Sequence, residues 1–507
     1  MEPIPLPPPL GGVRPDLDPE NVSDDELIAA ENVIRRDGDF RVRPGFVTLA
    51  NDINDRPMAY LNYSHADGTI RIVQVTDNGW YQLVSNVWDD ITGTPLTADA
   101  DDQVILRTFS KAGETWLLGT NGADPLYVWD GDTGTYVAAG GSPPRARCMM
   151  VVFDRVILGN LLSGGTISPV AFDVSENRDF DSGWGTVLVA LLADTEGPIM
   201  SMQEMGTLQG AILKSDAVCM LIAQGGSDPF RVQWVKSGIS GPAAPRLSEK
   251  QFDGSIVMVG IEGMISVFDG ANVISLPYAI QKHIARTANL EKLYRGWMYY
   301  DRDRREMWVI YPLVGSDEPN GGVLLNMGTL ACYPIRFGGG KAMTAGGRII
   351  TTSGLTIGDL TGPISSLSGL TIGQLATTSV LRKMVMGEVG GQTYEENGYT
   401  DGASTIPFFW QPPVRGTAET FTTVKRIRHR FKSSVGSQVV NVRVGKRNEG
   451  GTVTYGAAHP IQLSSPLRKV TGHRVTGEYL ALQFDGDGSA HVNYQGSTAY
   501  LSRRGKR

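Results

Sequence analysis

Side chains that commonly carry out catalysis are few in this sequence and follow no recognised spacing. The chain has six histidines: His65, His283, His429, His459, His473 and His491. No two of them have the spacing of a helical zinc motif such as HExxH. The chain also lacks a GxSxG elbow, a Walker loop and a strand followed by GxGxxG. The sequence therefore predicts no catalytic residues, no cofactor and no enzymatic activity.

The three cysteines, Cys148, Cys219 and Cys332, offer a nucleophile in principle. Each lies in an apolar, strand-like stretch, where a buried and unreactive thiol is the usual outcome. They have no CxxC spacing for zinc, and they are too few for a disulfide framework. This cysteine usage is typical of a protein that folds in a reducing cytoplasm.

Two acidic, glycine-rich segments resemble fragments of calcium loops, DGDTG at 130–134 and DGDG at 485–488. A calcium loop needs more oxygen ligands and usually a downstream glutamate, so we predict turns at both places and no metal site. TDNGW at 76–80 resembles part of the Asp-box of sialidase-type propellers. The box is incomplete and occurs once, so it is also interpreted as a turn.

The most specific chemical pattern is a basic strand in TVKRIRHRFK at 423–432. Alternation places one set of side chains on one face: Arg426, Arg428, Arg430 and Lys432. Ile427, His429 and Phe431 fall on the other face. The strand at 438–447 is predicted to pair with it as a hairpin and to add three cations: Arg443, Lys446 and Arg447.

This basic face has two interpretations. It is either a solvated edge that deters aggregation or a contact with DNA phosphates or an acidic protein surface. Residues 404–507 contain 16 Lys and Arg against 5 Asp and Glu, whereas the rest of the chain contains 30 against 48. We favour the contact, because a strongly basic region on an otherwise acidic chain indicates two surfaces with different partners.

Composition predicts an all-β protein. The chain has 507 residues, enough for two to four domains, and 62 of them are glycines, well above the usual ~7%. Dense glycine indicates many tight turns between short strands. No apolar stretch approaches the ~20 residues of a membrane helix, and the proline-rich start lacks the pattern of a signal peptide.

Between 46 and 395, strand-like runs alternate with Gly, Asp and Asn clusters, as in 69–84 and 114–139. These units recur at roughly 40–50 residues, which predicts a β-propeller of about six to eight blades. We expect a helix at 278–295 between two blades. SGLTIGDL at 353–360 returns as SGLTIGQL at 368–375, which suggests two related strands or turns.

The flanking regions differ from this pattern. Residues 1–45 are predicted to be an arm with one short helix at 23–36, because Ser23 and Glu26 form a capping box before Leu27, Ala30 and Ile34. Residues 396–507 are predicted to be a platform-like β-sandwich that ends in a basic tail.

The stretch at 11–46, GGVRPDLDPENVSDDELIAAENVIRRDGDFRVRPGF, resembles the opening of the tail nozzle proteins, or tail tubular protein B class, of short-tailed bacteriophages. The motif residues are Gly12, Asp16, Asn32, Arg43, Pro44 and Gly45. A blade-like hairpin at 254–277 is also similar, as are Lys-Arg-Ile at 425–427, Gly-Glu-Tyr-Leu at 477–480 and Arg-Arg-Gly at 503–505.

This resemblance implies a structural virion protein without a cofactor. It implies a β-propeller on a platform-like β domain, made in the host bacterial cytoplasm and assembled into the viral tail. Six copies would form a ring beneath the portal and adaptor proteins, next to tail fibres or spikes. The ring would surround the channel for double-stranded DNA and hold the genome until ejection.

A second hypothesis is a glycan-binding or glycan-cleaving propeller, such as a receptor-binding or sialidase-like protein. It is motivated by the blade pattern and by Trp80, Trp88 and Trp129, which could stack on sugars. In a propeller, however, such tryptophans more often fill the blade core.

Overall fold

The computed structural model describes residues 2–132, 134–163, 166–195, 197–224, 228–353, 379–416, 420–432, 438–447, 451–463, 468–488 and 491–505. These residues form an almost entirely β structure. The all-β prediction is confirmed. The repeated segment at 353–375 lies almost wholly outside the described residues.

Six four-stranded antiparallel sheets follow one another along the chain. The first contains β6 Pro57–Ser64, β7 Ile70–Thr76, β8 Trp80–Val84 and β9 Val87–Asp90. The second contains β10 Ile105–Lys111, β11 Glu114–Thr120, β12 Tyr127–Trp129 and β13 Val137–Ala138. The third contains β14 Arg145–Val152, β15 Arg155–Ser163, β16 Thr166–Val174 and β17 Leu188–Leu191.

The remaining three follow the same order. The fourth sheet contains β18 Ile199–Glu204, β19 Gln209–Lys214, β20 Ala217–Ala223 and β21 Phe230–Ser237. The fifth contains β22 Ser248–Lys250, β23 Ile256–Val259, β24 Ile265–Phe268 and β25 Val273–Ser275. The sixth contains β26 Trp297–Asp301, β27 Glu306–Tyr311, β28 Gly321–Asn326 and β29 Ala331–Arg336.

A seventh set of strands combines distant parts of the chain. It contains β30 Met343–Ser353, β31 Ser379–Glu388, β32 Thr393–Glu396 and, paired to β32, the early strand β5 Phe46–Thr48. The first strand of each set contacts the first strand of the next, and β30 contacts β6 again. Hydrophobic clusters fill the spaces between neighbouring sets around this cycle. The arrangement is propeller-like, as the sequence predicted.

The helix predicted at 278–295 between two sheets is confirmed for its first ten residues only. Helix α1 spans Tyr278–Thr287, and a 3₁₀-helix, Leu290–Arg295, follows it. Ile280 and Ile284 are buried between the fifth and sixth sheets, as their spacing requires. Two further 3₁₀-helices are Pro245–Leu247 and Gly338–Gly340. Within the described ranges, no helix is long and apolar enough to cross a membrane.

The other strands form two sheets that share a hydrophobic core. They are β1 Glu2–Leu6, β2 Ala29–Glu31, β3 Val33–Arg36, β4 Asp39–Val42, β33 Thr400–Asp401, β34 Ser404–Gln411, β35 Arg415–Gly416, β36 Thr420–Lys432, β37 Val439–Arg447, β38 Thr454–Tyr455, β39 His459–Gln462, β40 Arg468–Gly477, β41 Tyr479–Gly488 and β42 Asn493–Gly505. One sheet has the order β3-β4-β42-β36-β40, with β1 on β42. The other continues the seventh set from β5 through β33, β34, β41, β37 and β38. Buried residues of both belong to one core.

The predicted helix at 23–36 is wrong. The capping-box contact exists, since the amide of Ser23 donates to Glu26 Oε2 at 3.2 Å, but only a turn follows it. Beyond it, β2 pairs with β34 and β3 pairs with β4. Leu27 and Ala30 are buried in the two-sheet core, so tertiary pairing outweighs local helix propensity. Residues 1–45 are therefore built into the C-terminal sheets.

The predicted hairpin at 423–447 is also wrong. Strands β36 and β37 lie in different sheets: β36 pairs with β40 and β42, and β37 pairs with β41. Both strands alternate in burial, so each can cover one side of the shared core. The DGDG segment at 485–488 lies inside β41 and is not a turn.

Candidate functional site

The N-terminal motif residues lie at the junction between the sixth sheet and the C-terminal sheets. Gly12 is held against β29, where the amide of Val13 donates to the carbonyl of Cys332 at 2.9 Å. Its φ is +83°, and a Cβ atom there would lie 2.6 Å from the backbone nitrogen of Cys332. Only glycine fits this position. Asp16 accepts hydrogen bonds from Arg14 at 3.0 and 3.1 Å, which fixes the following turn.

Asn32 joins three parts of the chain. It is fully buried, with a left-handed φ of 59°. Its amide nitrogen donates to the carbonyl of Pro407 at 2.7 Å. Its side-chain oxygen accepts from Arg43 Nε and from the backbone amide of Arg336, both at 2.9 Å. Asparagine tolerates this backbone region better than most residues and supplies both a donor and an acceptor.

Arg43 lies at the centre of this junction and is fully buried. Its guanidinium forms a two-point ion pair with Asp401, with Nη1–Oδ1 at 3.0 Å and Nη2–Oδ2 at 2.5 Å. It also donates to the carbonyls of Pro44 at 3.0 Å and Arg336 at 3.1 Å. With the bond to Asn32, all five of its N–H groups have acceptors.

Gly45, the last residue of the motif, is fixed by close backbone packing. A Cβ atom at Gly45 would lie 2.2 Å from the carbonyl oxygen of Thr400. Asp401, beside it, accepts a further hydrogen bond from the amide of Gly338 at 2.7 Å. The motif residues therefore connect β29, β33 and β34, and the contacts that they make are structural.

A second buried ion network lies nearby and was not predicted. Arg36 of β3 donates to Glu306 of β27 at 3.0 and 2.6 Å and to Glu396 of β32 at 2.6 Å. Burial raises the pKa of Glu306 despite the bonds from Arg36. Burial also acts to raise the pKa of Glu396, but Arg36 and Arg304 outweigh it, so that pKa is lowered. These contacts link the N-terminal segment to the sixth and seventh sets of strands.

The predicted basic face is present on β36. Arg426, Arg428, Arg430 and Lys432 are exposed, whereas Ile427, His429 and Phe431 are buried. Arg426 lies over the ring of Tyr500, 4.3 Å from its centroid, and Lys432 pairs with Asp39 at 3.0 Å. Among the described residues, no carboxylate pairs with Arg428 or Arg430. These two cations are the most available to a partner.

The other three predicted cations do not belong to this face, because β37 lies in the other sheet. Arg443 pairs with Asp485 across to β41. Arg447 pairs with Glu20 at 3.1 Å. Lys446 is exposed. The expected seven-residue patch is therefore divided between two sheets, and three of its members, Lys432, Arg443 and Arg447, form ion pairs within the chain.

The residues considered for chemistry are mostly buried. All three cysteines are buried, which raises the pKa of each thiol to about 12. Burial lowers the pKa of His429 to about 3, and that of His283 and His473 to about 4. His429 is held by Ser497 at 2.8 Å and Thr471 at 2.9 Å.

One group of metal-ligand side chains comes together in the described residues: His65, Asp67 and Asp132. The two imidazole nitrogens face different carboxylates, Nδ1 to Asp67 at 3.1 Å and Nε2 to Asp132 at 3.4 Å. A single ion would need one nitrogen and both carboxylates on the same side. The geometry fits a histidine that lies between two carboxylates better than a metal centre.

Comparison with known proteins assigns no family. No protein-family model and no curated protein matches the chain. Among solved structures, the chain is similar to the extracellular domain assigned to a one-component system of B. thetaiotaomicron, with a TM-score of 0.43 and 8% sequence identity. The alignment covers 90% of this chain and 62% of that one, so the chain spans less than two thirds of its length.

Proposed function

We propose that this chain is a structural, non-enzymatic component of a bacteriophage tail, a nozzle or connector that forms a ring of six copies. The ring continues the DNA exit channel and helps to retain the genome until ejection. Adaptor and portal-side proteins, tail fibres or spikes and the passing double-stranded DNA are its partners. The buried junction around Arg43 is the observation that carries this proposal.

The junction supports the proposal because it is built from the same motif residues on which the resemblance to nozzle proteins rests. Asn32, Arg43 and Gly45 are buried between β29, β33 and β34. Asn32 makes a hydrogen bond there, Arg43 makes an ion pair, and Gly45 makes a close backbone contact that leaves no room for a side chain. A rigid connection between two β units suits a protein that transmits load within a particle.

We infer a finer architecture for this function. The seven sets of strands are seven blades of a closed propeller, and the two C-terminal sheets are a β-sandwich that serves as a platform. In this arrangement β5 closes the seventh blade from the beginning of the chain. A closed propeller leaves only short, protected strand edges, which suits a protein present in many copies at close quarters.

The charge distribution supports a ring. A heterologous contact between different faces of identical subunits closes into a ring when the rotation allows it. The exposed cations of β36 lie in a region with a net charge of +11, whereas the rest of the chain carries −18. We propose that the basic face of β36 contacts an acidic surface of the neighbouring subunit, the adaptor or DNA.

The glycan hypothesis loses its main support. Trp80, Trp88 and Trp129 are at most 4% exposed and pack inside the first and second sheets or beside the seventh. They are core residues and cannot stack on a sugar without local unfolding.

The test is the oligomeric state of the purified chain, alone and with the adaptor protein encoded beside it. Mass photometry and negative-stain electron microscopy should show six-fold rings. Persistent monomers under both conditions, together with clear hits on a glycan array, would overturn the proposal in favour of the glycan hypothesis.

A further inference from the structure

The first strands of the seven sets surround a central cavity of about 320 Å³. That volume corresponds to roughly ten water molecules at ~30 Å³ each, so a small hydrated ion fits. Four charged side chains line the cavity: Arg107, Arg246, Glu249 and Arg348.

Two of these charges are neutralised within the chain. Arg107 pairs with Glu204 at 2.9 Å, and Arg348 pairs with Asp303 at 3.2 Å. The hydroxyl groups of Ser201 and Ser248, which also line the cavity, are hydrogen-bonded to each other at 2.7 Å. These groups are therefore already occupied.

Arg246 differs from the other two arginines. In the described part of the chain, no carboxylate lies within 4 Å of its guanidinium. Nη1 donates to the carbonyl of Thr344 at 3.1 Å, and its other guanidinium N–H groups have no acceptor there. Burial, with a smaller effect from the nearby Arg56, lowers the pKa of Arg246 to about 9. A half-buried cation without a counter-charge is costly unless a ligand supplies one.

Glu249 does not provide that counter-charge. It forms no ion pair among the described residues, and burial raises its pKa to about 7. The carboxyl group is therefore partly protonated near neutral pH, and its repulsion of an incoming anion is reduced.

We propose that the central cavity binds a small oxyanion, a phosphate or a carboxylate, at the guanidinium of Arg246. The planar guanidinium presents parallel N–H donors that match two oxygens of such an anion. The site lies inside one subunit, so this proposal does not depend on ring formation and can fail separately from it.

The test is a titration of the purified chain with inorganic phosphate, and separately with acetate, at constant ionic strength in sodium chloride. Isothermal titration calorimetry should show one saturable site, and phosphate should raise the midpoint of thermal unfolding. A response to phosphate alone identifies a phosphate site, and a response to both identifies a general oxyanion site. No saturable binding of either anion overturns the proposal.

Substitutions of Arg246, compared with a control at Arg231, locate the site. Arg246→Gln should weaken binding about tenfold or more, as expected for a lost charge-assisted hydrogen bond. The control Arg231→Gln removes an exposed cation from the outer strand of the fourth sheet and should bind like the parent. If Arg246→Gln does not fold, Arg246→Lys retains the charge without the paired donors and should still bind more weakly. Unchanged binding in the folded Arg246 variant would contradict the assignment.

Discussion

Arg43 and Asp401, 358 positions apart in the sequence, form a two-point ion pair in which both side chains are completely buried. The pair joins the end of the N-terminal segment to β33. It is surrounded by Asn32, Gly338 and the rings of Phe46 and Phe337. Because both side chains are shielded from solvent, the junction should be sensitive to the removal of either charge.

Removing one member of this pair should destabilise the protein by about 3–5 kcal/mol, because the other charge is left buried and unpaired. Arg43→Gln and Asp401→Asn should each lower the urea concentration at which the first unfolding transition occurs. The double variant should cost less than the sum of the two. As a control, Arg178→Gln breaks an exposed pair with Asp154 and should change stability by less than about 1 kcal/mol.

Substitution of Asn32 should reduce the stability of the protein more than substitution of another asparagine with the same backbone conformation. Asn32→Ala removes three hydrogen bonds and leaves a left-handed φ, so we expect a loss of about 2–4 kcal/mol. Asn86 has a φ of 62° in an exposed turn. Asn86→Ala should therefore lose only about 1–2 kcal/mol, the cost of placing alanine in the left-handed backbone conformation. Equal losses in the two variants would show that the side-chain bonds of Asn32 contribute little. Thermal unfolding measures both.

Stability should fall as pH decreases from about 6.5 towards 3, partly because of His429. Its folded-state pKa of about 3 lies below the ordinary value of 6.5, so the unfolded chain binds a proton that the folded protein does not. One such proton contributes a slope of about 1.4 kcal/mol per pH unit within this window and nothing above it. His429→Gln should therefore show a shallower loss of stability than the parent between these pH values. Parallel curves would mean that His429 titrates normally.

Replacing the basic face should affect assembly more than folding. Arg426, Arg428, Arg430 and Lys432 are all exposed, so changing all four to glutamine should alter stability little, each by less than about 1 kcal/mol. We expect the variant to assemble poorly in a salt series followed by mass photometry. The matched control changes four other exposed cations, Arg178, Arg231, Lys236 and Arg302. Normal assembly of the first variant would make the face a solvated surface.

The three cysteines should not react in the folded protein. Each is buried, and burial raises the pKa of each thiol to about 12, so almost no thiolate is present at neutral pH. A disulfide exchange reagent should label none within minutes and all three in guanidinium chloride. Rapid labelling of the folded protein would contradict the structure around that cysteine.

The features of the fold that depend only on local periodicity could be predicted from the sequence. The alternation of Arg426, Ile427 and Arg428 gives their exposure correctly, and the spacing of Ile280 and Ile284 gives helix α1. The prediction at 23–36 failed because β34, almost 400 residues later, pairs with that segment. The partners of Arg43 and Arg36 also come from remote strands, and no pattern near either arginine identifies them.

The position of β5 has a consequence for how the protein is made. Phe46–Thr48 emerges from the ribosome early, but its partner β32 is about 350 residues further along the chain. At roughly 5–20 residues per second, that strand waits about 20–70 s before its hydrogen-bonding edge is covered. During translation the nascent chain therefore carries an unpaired edge, and slowing elongation, or depleting chaperones that shield such edges, should reduce the soluble yield before it changes the finished protein.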